Sequence, residues 1–97
     1  LIKLEKGEPM PERRVVVASR VGLHARPAAL LAKTAAEQEV TVTIRKGDGE
    51  PVEAASVLGL MTLGAMHGDE VVLFAEGDGA DVALDAVAAV ISTDLDG

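Results

Sequence analysis

Short runs of β-branched or alternating residues recur along this chain, and small-residue stretches with helical spacing lie between them. With 97 residues to work with, such a pattern leaves room for one small sheet and a few helices in a single domain. Val15-Val16-Val17-Ala18 reads as the first strand. A helix fits residues 25–37, with Ala28, Leu31, Ala32 and Ala35 on its inner face and Leu30 off it. Pro27 is compatible because a first-turn N–H has no partner to lose.

The remainder continues the alternation. Val40-Thr41-Val42-Thr43-Ile44 alternates with period two and predicts a half-buried strand. Lys46-Gly47-Asp48-Gly49 supplies a turn, and Pro51-Val52-Glu53 returns as a shorter strand. Ser56 is placed to cap a short helix that runs through Leu63 and stops at Gly64. Val57, Leu60 and Leu63 are expected in its core face. Residues 70–75 form the fourth strand. The last helix presents Ala80, Ala83, Leu84, Val87, Ala88 and Ile91 to the core, with Asp78, Asp81 and Asp85 near its positive end. The order is βαββαβα. A wet face on an alternating strand is an antiparallel habit, so we expect an α+β domain with four antiparallel strands and three helices on one face.

Composition excludes several functions. There is no Cys, which removes disulfides and thiolate metal sites. Phe74 is the single aromatic, too few for a single-strand nucleic-acid platform. The net charge of −7 argues against nucleic acid and anionic membranes as partners. All nine Lys and Arg fall in residues 1–46, whereas residues 47–97 carry eleven acids, which predicts a polarised surface. No segment has the ~18 apolar residues of a membrane span. Residues 1–9 read as an extension, either a tag scar or an upstream linker, with the domain occupying residues 10–97. Lacking a signal and Cys, the chain is assigned to the cytoplasm.

Gly22-Leu23-His24-Ala25-Arg26-Pro27-Ala28 is the stretch that bears chemistry. It sets an imidazole at a helix start, where unpaired N–H groups favour anions. Arg26 adds a permanent charge whose planar donors suit phosphate oxygens. A neutral imidazole at this position offers a nucleophilic nitrogen. Metal ligation is not expected, since no Cys accompanies the two His and Arg26 brings a cation. No cofactor motif is present. His67, in Met66-His67-Gly68-Asp69, reads as a turn residue with no catalytic role.

This stretch resembles the active-site motif of the HPr phosphocarrier family of the bacterial phosphoenolpyruvate:sugar phosphotransferase system. Ala55-Ser56-Val57-Leu58-Gly59-Leu60-Met61-Thr62-Leu63-Gly64 resembles that family's second signature, and the likeness runs from about Arg13 to Leu95. The acidic second half looks actinobacterial. The resemblance implies an open-faced β-sandwich. It further implies that His24 accepts a phosphoryl group from phosphorylated enzyme I on Nδ1 and passes it to an enzyme IIA, that Arg26 neutralises its oxygens and that Pro27 shapes the helix start. Val21 stands where many relatives have a small polar residue, and it cannot supply a hydrogen bond there. Ser56 matches a serine that a regulatory kinase modifies in some relatives, but its favoured reading is a plain cap, which needs no kinase. Ala29, Leu30, Leu58 and Met61 are the expected docking patch for partner proteins. Such a chain is a carrier, expected as a monomer, rather than an enzyme with its own small substrate. Two alternatives stay open at this point: an HPr-like domain of a longer phosphotransfer protein, such as the donor subunit of a dihydroxyacetone kinase, and a regulatory binding module.

Overall fold

The computed structural model describes residues 11–93; the expected extension over residues 1–9 lies outside the described residues. Seven elements occur in the anticipated order: β1 (Glu12–Val16), α1 (Ala25–Ala36), β2 (Thr43–Lys46), β3 (Val52–Glu53), α2 (Val57–Thr62), β4 (Glu70–Phe74) and α3 (Ala80–Ile91). The four strands form one sheet in the order β1-β4-β2-β3, with every neighbouring pair antiparallel. β4 therefore sits inside the sheet, and Val71, Val72 and Leu73 are all buried there.

Strand alternation sorts the side chains. Val15, Val17, Ile44, Val71, Leu73 and Ala75 join one core with Ala28, Leu31 and Ala32 of α1, Leu60 of α2, and Leu84, Val87 and Ile91 of α3. Register puts Glu12, Arg14, Thr43, Arg45, Val72 and Phe74 on the opposite face. No described helix covers that face, and Val72 is buried there apart from the main core. The helices take the small residues because Ala at the contact lets α1 pack closely on α3 and α2.

Two strands lie elsewhere than their sequence suggests. β1 is Glu12–Val16 rather than 15–18. Pairing with β4 from Glu12↔Phe74 to Val16↔Glu70 sets its limits, and charged residues serve well where alternate side chains point outward. Arg13 points to the helix side yet stays in water, where it bonds Asp81 and Asp85 of α3 at 3.2 Å each. β2 is Thr43–Lys46 rather than 40–44, because its ladder to β4 starts at Thr43↔Phe74. Val42 is still buried, and its carbonyl accepts from the Ala54 N–H. Of the three residues expected on the core face of α2, Leu60 is fully buried and Leu63, just past the helix end, is half-buried against the core, whereas Val57 is exposed. A six-residue helix has room for little more.

Candidate functional site

The chain leaves β1 and crosses to α1 through residues 17–24. This crossing lies on the turn between α2 and β4. Val17 N–H donates to the Asp69 carbonyl and Gly68 N–H donates back to Val17, both at 2.9 Å. Leu23 N–H donates to the Ala65 carbonyl at 3.0 Å, and Gly22 N–H closes a turn on Ser19. Gly22 has φ +74, and a Cβ there would lie 2.4 Å from the Ala65 oxygen. Only glycine meets both the left-handed backbone and that approach.

His24 follows as the N-cap of α1, with extended backbone (φ −140, ψ 151) and no capping hydrogen bond from its side chain. The ring is exposed. An imidazole that does not cap leaves its nitrogens available to chemistry. The first turn of α1 contributes N–H groups with no carbonyl partner inside the helix, and such a tip favours negative charge. Arg26 is exposed in the same turn. Pro27 is buried there, next to the core residue Ala28.

Ala25 is the one non-glycine residue with positive φ (+47) among the described residues. An L residue in that region costs about 1–2 kcal/mol. The chain therefore turns sharply between the exposed imidazole and the exposed guanidinium, and the strain is stored beside them. Sequence alone offered no sign of it, since Ala at a helix start is unremarkable.

The expected docking residues all reach solvent. Ala29 is exposed, as are Leu30 on α1 and Leu58 and Met61 on α2, Leu58 the most at 77%. Val21, Val57 and Met66 are further large exposed apolar residues outside the expected docking patch. Ser56 caps α2, its Oγ accepting from the Gly59 N–H at 3.0 Å. Glycine inside a helix costs about 1 kcal/mol relative to alanine, and Gly59 has a packing reason: a Cβ there would meet Ser56 Oγ at 3.2 Å and Ser56 Cβ and Val52 Cβ at 3.3 Å.

A groove of about 270 Å³ lies on the open sheet face, lined by Glu12, Thr43, Arg45, Pro51, Val72 and Phe74, none of them a site residue. Among the described residues no group of three or more His, Asp or Glu could hold a metal. No described helix is long and apolar enough to cross a membrane.

An open-faced α+β domain that presents an exposed, uncapped imidazole at a helix tip defines a class of protein that offers its histidine on the surface. Residues 11–93 match the family model described as the PTS HPr component phosphorylation site. The chain is 46% identical over 87 residues to the phosphocarrier protein HPr of Streptomyces coelicolor, covering 90% of this chain and 94% of that one. Among solved structures, HPr of Bacillus anthracis superposes with a TM-score of 0.79 at 38% identity, covering 87% of this chain and 99% of that one. An HPr dimer from Thermoanaerobacter tengcongensis gives 0.63 at 41% identity, over 72% and 79% of the two chains. The chain belongs to the HPr family. It is a histidine phosphocarrier of the phosphotransferase system.

Proposed function

We propose that His24 is the phosphoryl acceptor, that Arg26 neutralises the phosphoryl oxygens and that Pro27 holds the first turn of α1 in place. The carrying observation is the exposed His24 ring, which makes no cap to its own helix. In the forward step a lone pair of the ring, at Nδ1, attacks the phosphorus carried by enzyme I. The N–P bond forms as the bond to the donor breaks. In the second step a nucleophile on enzyme IIA takes the same group, and the His24 N–P bond breaks. The helix tip and Arg26 favour the dianion on His24 without burying it. A group held in the open can leave again, which a carrier requires.

Both partners would dock on the exposed apolar residues Ala29, Leu30, Leu58 and Met61. One face serving two partners in turn fits a monomer in the cytoplasm, and sedimentation velocity distinguishes this from a dimer. Ser56 in this reading is a cap, since its bond to Gly59 accounts for the residue without a kinase.

The test is incubation with phosphoenolpyruvate and enzyme I, followed by intact mass. The parent chain gains one acid-labile phosphate and His24→Ala gains none. A folded parent chain that gains nothing refutes the assignment.

A further inference from the structure

The ring of His24 is not anchored by a capping bond of its own, so its position follows the backbone that leads to it. That backbone starts at Ala18. The Ala18 N–H donates to the Ile91 carbonyl at 3.0 Å, and the Ala18 carbonyl lies 3.1 Å from Nδ1 of His67. A carbonyl can only accept, so Nδ1 of His67 carries the proton. The far end of the same segment is held by Leu23 N–H on Ala65. Both restraints come from one turn, residues 64–69.

That turn is itself firmly held. The Met66 N–H donates to the Asp69 carboxylate at 2.9 Å, and Asp69 N–H donates to the Met66 carbonyl at 3.0 Å. Lys46 Nζ lies 3.1 Å from the same carboxylate and donates to the Gly64 carbonyl at 3.0 Å. A rigid turn that lends a side-chain donor to the start of a loop restricts the loop's path. We propose that His67 is a positioning residue for His24, its Nδ1–H holding the Ala18 carbonyl at the head of the segment that delivers the acceptor ring. This rests on the assignment of His24 as acceptor. His67 touches neither the phosphoryl group nor the partner; it acts through Ala18–Leu23.

His67→Ala and His67→Asn in the full chain test this. The amide of Asn overlays the ring so that its Nδ2 stands where Nδ1 stood, and it restores the donor. At saturating phosphorylated enzyme I, transfer to His67→Ala falls about fivefold, the factor one ordinary hydrogen bond carries. KM stays within about twofold, because the docking patch is untouched. His67→Asn recovers the parent rate. Amide exchange at Gly22 and Leu23 quickens in the Ala variant alone, and nitrogen NMR of the parent shows His67 as the Nδ1–H tautomer. Unchanged transfer and exchange in His67→Ala, failure of Asn to rescue, or an Nε2–H tautomer overturns the inference. If His24→Ala still takes phosphate, the acceptor assignment falls separately, and exchange at Leu23 still decides whether His67 holds the loop.

Discussion

Gly22 lies against Ala65 so closely that a Cβ on Gly22 would sit 2.4 Å from the Ala65 carbonyl oxygen. The next residue, Leu23, donates its N–H to that same oxygen. The acceptor loop and the turn after α2 are thus one packed unit. Gly22→Ala combines a left-handed backbone penalty with this overlap and should cost about 2–4 kcal/mol. Urea unfolding reads the loss directly. A variant as stable as the parent would mean that the two segments do not meet as described.

Ala25 gives the opposite sign. Glycine in place of alanine normally costs a helix about 1 kcal/mol. At φ +47 the substitution relieves strain. Ala25→Gly should leave stability unchanged or raise it by up to about 1 kcal/mol, while Ala29→Gly, on the exposed side of the same helix, should lower it by about 1 kcal/mol. Paired thermal melts make the comparison.

Asp69 links stability to pH. The Met66 N–H, and then Lys46, hold its carboxyl below the ordinary value of 3.8. A depressed folded value means the stabilisation is complete above the unfolded carboxylate value and fades as pH falls through the lower folded one. The parent should therefore lose stability in acid over a window beginning near the ordinary value and extending below it, and Asp69→Asn should lose less across that window. Urea midpoints measured through the acid range decide it; identical acid slopes would remove Asp69 from the account.

Leu58 separates docking from folding. Being 77% exposed, it contributes little to the core, so Leu58→Glu should change stability by no more than about 0.5 kcal/mol. If it anchors partners, KM for phosphorylated enzyme I should rise about fivefold or more. Steady-state transfer with a melt on the same sample checks both halves.

Ser56→Ala removes the oxygen that accepts from the Gly59 N–H. A lost cap should cost about 1 kcal/mol, and Ser56→Asp should recover most of it. Thermal unfolding of the two variants is sufficient, and an Ala variant with the parent's midpoint would show the cap to be idle.

Much of this molecule could be read before folding it. The inner faces of α1 and α3, the turn at Gly47 and the cap at Ser56 all rest on spacing and on single residues with strong local preferences. The misplaced limits of β1 and β2 have one cause. A strand ends where its partner stops pairing, and the partner of both, β4, is distant in sequence.

Local chemistry written in the chain set the element order, the buried alanine stripes, and an imidazole and a guanidinium beside a helix start. Short-range terms govern these, so neighbours in sequence were enough. Tertiary structure alone decided that Ala25 adopts a strained turn, that Gly22 lies against Ala65, that Arg13 reaches Asp81 and Asp85, and that His67 bonds Ala18. Each of these joins groups on different elements, or records what the backbone must do once those elements have packed. No local propensity carries that information, because the energy of such a contact exists only after the rest of the chain has closed around it.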